Sequence, residues 1–146
     1  WDLAWNLQVE PQILDGLAEG GAGQVVSIAG TNVEFLFLNF ADPNKEVDGQ
    51  RAELNTPHPF LSDPEVRRAL NLGADRATIS EQFYGQGANP TANILVGIPA
   101  FESPNTAWAF DVAEGTRILE EAGWTMEGDV RARDGVELSL VYAASV

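Results

Sequence analysis

The side chains with the plainest chemical potential in this chain are the oxygen-bearing ones of a single loop. From Asp42 to Glu53 the sequence reads Asp-Pro-Asn-Lys-Glu-Val-Asp-Gly-Gln-Arg-Ala-Glu. Oxygen side chains at alternate early positions and a final Glu follow the spacing of an EF-hand calcium loop, because Ca²⁺ needs several convergent oxygens. Val47 stands where the sharp turn of such a loop requires Gly, and no helix is predicted on either side. We therefore expect a solvated loop and no metal site.

Paired carboxylates would allow a second chemistry. Two acids about 5–10 Å apart would serve a glycosidase-like hydrolase, and the chain has twenty-two Asp and Glu residues. Spacing in sequence does not bring two of them together, and the neighbours Glu120 and Glu121 diverge on a helix. We expect no catalytic residue, and a carboxylate-dependent, glycosidase-like hydrolase and a calcium-stabilised interaction module stay open as functions.

The other reactive residue types also argue against catalysis. His58 lies between Pro57 and Pro59 without a carboxylate or hydroxyl neighbour that would make it a base, so we expect a loop histidine. The chain has no Cys, which excludes disulfides, thiolate metal sites and cysteine nucleophiles. The run Gly20-Gly21-Ala22-Gly23 follows a predicted helix, whereas a phosphate-binding loop opens one. It therefore indicates a helix end, and no cofactor is expected.

Asn39 is the polar side chain that we expect to contact a ligand. It lies near the end of an apolar run, Phe35-Leu36-Phe37-Leu38-Asn39-Phe40. A lone amide at the end of a strand that is apolar on both faces must find a hydrogen-bonding partner. That partner is either neighbouring backbone or a ligand in a cleft. Asn39, Phe37 and Phe40 form the predicted ligand-binding set.

The elements that position these residues follow from hydrophobic periodicity. Strands are predicted over residues 1–9, 24–29 and 33–40, and the last is placed inside a sheet because it is apolar on both faces. Helices are predicted from Pro11, over about 64–72 and 76–84, and from Asp111 to a stop at Gly123. Residues 41–61 are expected to form a long irregular connection.

Short-range signals add caps and one turn. Ser62 with Glu65 predicts a capping box in front of the helix that Pro64 opens, Asp75 predicts a second cap, and Asp111 with Glu114 predicts a third. Asp134-Gly135, between two runs of strand composition, predicts a tight hairpin.

Composition limits the possible partners. A chain of 146 residues, 45% hydrophobic and 21% charged, is long enough for one ordinary core. Its net charge is −14, from eight Lys and Arg against twenty-two Asp and Glu, which argues against nucleic acid and against an anionic membrane surface. No run approaches the ~18–20 apolar residues of a membrane span, so no direct membrane insertion is expected.

Two segments in the same order resemble one protein family. The apolar run ending at Asn39 and the stretch Ser62-Asp63-Pro64-Glu65-Val66-Arg67-Arg68-Ala69-Leu70 look like its "LxLN … PPFxDxRVRxAL" signature. Phe110-Asp111, Ile118-Leu119-Glu120-Glu121-Ala122-Gly123-Trp124 and Asp134-Gly135-Val136 are similar to its later "LLxEAGW … dGxxLxLxL" segment. The family is that of the large extracytoplasmic solute-binding proteins of ABC importers, in the peptide- and nickel-binding class.

The resemblance implies an α/β fold, a fragment of a type II periplasmic-binding-protein-like, two-lobed structure with a mixed sheet flanked by helices. Residues 1–40 would be a strand-helix-strand segment leading to the crossing between lobes, and residues 41–146 part of the second lobe. The implied function is capture of an oligopeptide or similar solute and delivery to an ABC permease. The implied location is periplasmic or extracellular, free or lipid-anchored.

The chain departs from the family pattern in two places. Residues 42–55 are a long insertion where relatives have a short link. The aspartate with which peptide-binding members hold the amino terminus of a ligand belongs to a Trp- and Tyr-rich segment that would follow Val146.

Overall fold

The computed structural model describes residues 3–5, 9–21, 23–28, 30–85 and 88–143. The α-helices are α1 (Pro11–Gly20), α2 (Pro64–Gly73), α3 (Arg76–Tyr84) and α4 (Val112–Glu121), and Pro99–Phe101 forms a 3-10 turn. The strands are β1 (Glu46–Val47), β2 (Gln50–Arg51), β3 (Thr125–Glu127), β4 (Val130–Arg133) and β5 (Val136–Glu137). Helices together with small sheets confirm the α/β class.

The chain divides into two compact units. Unit 1 contains Trp1–Glu34 and Asp75–Trp108, with α1 and α3. Unit 2 contains Phe35–Ala74 and Ala109–Val146, with α2, α4 and all five strands. In unit 2, β1 pairs with β2, and β3, β4 and β5 form an antiparallel meander in sequence order.

Three helices, α2, α3 and α4, begin at side-chain caps, one of which differs from the prediction, whereas α1 has no side-chain cap. Asp63 caps α2, because its Oδ1 accepts from the Glu65 amide at 3.0 Å. The predicted Ser62 cap is wrong: the Ser62 hydroxyl donates backward to the His58 carbonyl at 2.6 Å and is already engaged. The predicted caps of the other two helices are confirmed, since Asp75 caps α3 and Asp111 caps α4.

The core of unit 2 joins the start of α2 to the end of α4. Phe60, Leu61, Val66 and Trp124 are buried together. Half-buried apolar side chains surround them: Leu38, Leu70, Leu119, Ala122, Val136 and Leu138. Each fully buried large side chain contributes about 1.5–3 kcal/mol of transfer free energy.

α2 and α4 approach each other through small residues. Gly115 and Ala69 are both buried. A Cβ built on Gly115 would lie 3.1 Å from the Ala69 carbonyl oxygen and 3.7 Å from the Leu72 Cβ. A side chain at position 115 would therefore press against the α2 backbone at this separation.

The predicted strands of the first 40 residues do not form ladders. Residues 24–28 and 33–40 pair with no other strand among the described residues, and residues 3–5 and 9 lie in no strand. Residues 1–2, 6–8 and 29, which complete two of these predictions, lie outside the described residues. Phe37 is 86% exposed, so the predicted burial of residues 33–40 on both faces is wrong as well. A strand requires a neighbour, and the described residues supply none.

The connection after Phe40 is ordered, whereas the sequence predicts an irregular one. β1 and β2 form a hairpin whose turn, Asp48-Gly49, has φ values of 50° and 77°, as an Asp-Gly turn between two strands requires. The Asp42 amide donates to the Thr56 carbonyl at 2.7 Å and closes the base. We call residues 41–57 the 41–57 hairpin. The predicted turn at Asp134-Gly135 is confirmed between β4 and β5.

Replacing Gly115 tests the close packing of α2 and α4. Gly115→Val should lower the free energy of unfolding by about 1–3 kcal/mol, because the branched side chain meets the α2 backbone. Gly73→Ala is the matched control, since nothing lies within 4 Å of a Cβ at that position. It should be neutral or slightly stabilising. Urea titrations followed by circular dichroism measure both, and equal midpoints for the two variants would contradict the packing account.

Candidate functional site

The candidate site is a groove on unit 2 beside the 41–57 hairpin. Its volume is about 300 Å³. Its lining comes from the end of the apolar run and from the returning arm of the hairpin: Leu38, Asn39, Phe40, Ala41, Ala52 and Leu54. Five of these side chains are apolar and one is an amide, a composition typical of ligand pockets.

The Asn39 side chain bonds to neighbouring backbone and also leaves a donor for a ligand, the two partners that the sequence leaves open. Its Oδ1 accepts from the Ala41 amide at 3.1 Å, so the side chain closes a local turn. Its Nδ2 has no partner among the described residues, and the side chain is exposed at the groove. The oxygen is thus engaged by the backbone, while the nitrogen can donate to a ligand.

Phe40 is a fixed aromatic wall. Its carbonyl accepts from the His58 amide at 2.8 Å. The Arg67 guanidinium carbon lies 4.8 Å from the ring centre, a cation–π distance. Arg67 is itself held, because Nη1 donates to the Leu61 and Ser62 carbonyls at 2.9 and 2.8 Å. The ring is nevertheless 57% exposed, so one side of it is open to a ligand.

Phe37 lies outside the groove lining. Its ring packs edge-to-face on Phe35 with 4.4 Å between centroids. The structure therefore brings Asn39 and Phe40 together and leaves Phe37 apart from them. A role in ligand binding remains a prediction for all three residues.

Sequence reasoning missed the part of the groove lining that the hairpin supplies, Ala52 and Leu54. Ala52 has a φ of 55°, a conformation rare for residues other than glycine. Leu54 is 98% exposed between polar neighbours. A single leucine in a polar loop was the available signal, but only the folded hairpin brings it to the same groove as Phe40.

The calcium-loop spacing belongs to the hairpin. Asp42 Oδ1 accepts from the Asn44 amide at 2.8 Å, and Glu46 pairs with Arg51 at 3.3 Å across the strands. Within the described ranges, no group of three or more His, Asp or Glu side chains is arranged to hold a metal ion. Of the loop's oxygen side chains, that of Asp42 thus closes a local turn and that of Glu46 forms an ion pair.

Comparison with known proteins identifies the family. Residues 2–145 match the model of the bacterial extracellular solute-binding proteins, family 5, middle region. The chain belongs to this family, which confirms the resemblance seen in the sequence. No solved structure matches the chain significantly.

Three relatives illustrate the match. The oligopeptide-binding protein OppA of Lactococcus lactis subsp. lactis strain IL1403 is 34% identical over 114 residues, covering 75% of this chain and 18% of its own length. An OppA of Lactococcus lactis subsp. lactis is 26% identical over 149 residues, covering 92% of this chain and 24% of its own. A Brucella ovis protein named for ABC-transporter peptide binding is 30% identical over 70 residues, which cover 48% of this chain and 13% of its own length. The chain thus spans less than a quarter of the length of each.

No helix in the described ranges has the length and apolar content that crossing a bilayer requires.

The Asn39 turn can be tested on stability alone. Asn39→Ala removes the acceptor of the Ala41 amide and should lower the free energy of unfolding by about 0.5–1 kcal/mol. This is the lower part of the usual contribution of one hydrogen bond, because the site is exposed to solvent. Asn39→Asp keeps an acceptor and should stay close to the parent. Urea midpoints measure both, and an unchanged midpoint for Asn39→Ala would show that the turn contributes nothing.

Proposed function

We propose that this chain is part of the substrate-binding component of an ABC import system. The component captures an oligopeptide or similar solute in a cleft and delivers it to the permease. The family match over residues 2–145 carries this proposal. The names of the relatives support the peptide class and the transporter partner.

The groove has a chemistry that suits a peptide. Its apolar lining, which includes Phe40 and Leu54, can take an apolar side chain. The Asn39 amide nitrogen can donate to a peptide carbonyl. This hydrogen bond would orient a peptide that the groove otherwise holds through apolar contacts. Capture of this kind needs no bond making or breaking, so the function is binding and not catalysis.

Delivery requires a conformational signal. In the proposed mechanism residues 1–40 lead to the crossing between two lobes and residues 41–146 belong to the second lobe. A ligand favours the closed state only if it contacts both lobes, because it shifts the equilibrium by its difference in affinity for the two states. The closed protein then docks on the permease, in the periplasm or outside the cell.

Variants of the longer protein that contains this chain test the groove. Asn39→Asp keeps the turn but replaces the amide donor with a carboxylate. The free energy of peptide binding should therefore weaken by about 1–3 kcal/mol, while the melting temperature should not change. Leu54→Asp should weaken binding of peptides with apolar side chains, because a charge replaces an apolar wall. Isothermal titration calorimetry with a defined set of tri- to hexapeptides measures affinity.

Leu140→Asp is the matched control for Leu54→Asp, since Leu140 is an exposed leucine of unit 2 that does not line the groove. It should leave affinity unchanged. Full peptide affinity in both Asn39→Asp and Leu54→Asp would remove the groove from the site. The absence of saturable heat with every peptide in the parent would overturn the peptide class itself.

A further inference from the structure

The His58 ring is a hydrogen-bond acceptor for the backbone of the turn that follows it. Its Nδ1 accepts two backbone hydrogen bonds, from the Phe60 amide at 3.3 Å and from the Leu61 amide at 3.1 Å. A ring nitrogen accepts only when it carries no proton, so the imidazole is neutral with its proton on Nε2. Protonation at Nδ1 would turn the acceptor of both bonds into a donor.

These two hydrogen bonds lie between the candidate groove and the buried core of unit 2. Phe60 and Leu61 are buried, and the His58 ring packs edge-to-face on Phe60 with 4.4 Å between centroids. The His58 amide donates to the Phe40 carbonyl, directly beside the groove. One residue thus connects the turn before α2 to the aromatic wall.

The surroundings of the ring favour the neutral form. Partial burial lowers the pKa of His58 below its ordinary value of 6.5, although the Asp42 carboxylate in the hairpin acts in the opposite direction. From the α2 side, Arg67 is bound to the Leu61 and Ser62 carbonyls, and Asp63 is the helix cap paired with Arg133.

We propose that His58 is a pH-sensitive latch: its protonation releases the turn at residues 58–61 and, through Phe40, loosens the groove. The effect on ligand binding rests on the proposed function of the groove, whereas the release of the turn does not. Because the folded state binds this proton more weakly than the unfolded state, the latch stabilises fully above pH 6.5 and is lost as the pH falls through the lower folded value.

The experiment is an NMR titration of the chain from pH 7.5 to 5. The imidazole C2 proton reports one residue, because His58 is the chain's single histidine. It should titrate below 6.5, and the hydrogen-exchange protection factors of the Phe60 and Leu61 amides should fall about tenfold with it, the loss of roughly one hydrogen bond. The Thr78 amide, which donates to Asp75 at the cap of α3, is the control. The hydrogen bonds from Thr78 hold the pKa of Asp75 below its ordinary value, so this carboxylate stays ionised over the whole range and the Thr78 amide should keep its protection.

His58→Asn is the matched variant. An Asn oxygen can accept from the amides two and three residues ahead, as in an Asx turn, and does not titrate. Protection of Phe60 and Leu61 should then be independent of pH in this range. Equal loss of protection in the parent and in His58→Asn, or a parent histidine that titrates at or above 6.5, would overturn the latch.

Peptide binding by the longer protein separates this inference from the proposed function. Affinity that falls with acid in the parent but not in His58→Asn supports both. A pH-dependent turn in a protein that binds no peptide at any pH supports the latch and overturns the binding function. Affinity with the same pH dependence in the parent and in His58→Asn overturns the coupling of the latch to the groove.

Discussion

The guanidinium of Arg133 is the contact on which the rest of unit 2 depends. From β4 it reaches the cap of α2, donating through Nη1 to Asp63 Oδ2 at 2.9 Å. The same nitrogen donates to the Ala122 carbonyl at the end of α4, at 2.8 Å. The guanidinium carbon also lies 4.4 Å from the centre of the Trp124 ring, which is 1% exposed. One side chain therefore binds the cap of α2, binds a carbonyl at the end of α4 and packs on the face of the Trp124 ring.

Asp63 transmits this constraint toward the groove. Partial burial would raise the pKa of Asp63, but the hydrogen bonds from the Glu65 amide and the Arg133 guanidinium together hold it below its ordinary value. The carboxylate thus stabilises the fold above its ordinary pKa, and that contribution is lost as the pH falls through the lowered value. With α2 capped, the turn before it carries Phe60 into the core and His58 to the Phe40 carbonyl.

Local chemistry was readable from the sequence, and contacts between distant residues were not. The caps at Asp75 and Asp111 and the Asp134-Gly135 turn were predictable because each depends on two to four neighbouring residues. Residues 33–40 have strand composition but no described partner, and composition says nothing about whether a neighbour exists. The groove needs the hairpin register to bring Leu54 toward Phe40, and the Arg133–Asp63 bond joins positions 70 residues apart. Family resemblance indicated the class of protein without locating either contact.

Urea denaturation of Arg133→Ala beside Arg117→Ala tests this dependence most directly. Arg117 pairs with Glu114 and Glu121 on the exposed face of α4, and such surface pairs contribute about 0–1 kcal/mol. Arg133→Ala should cost about 2–4 kcal/mol, because a half-buried charged bond, a carbonyl bond and the contact with Trp124 are lost together. A loss for Arg133→Ala no larger than that for Arg117→Ala would contradict the account.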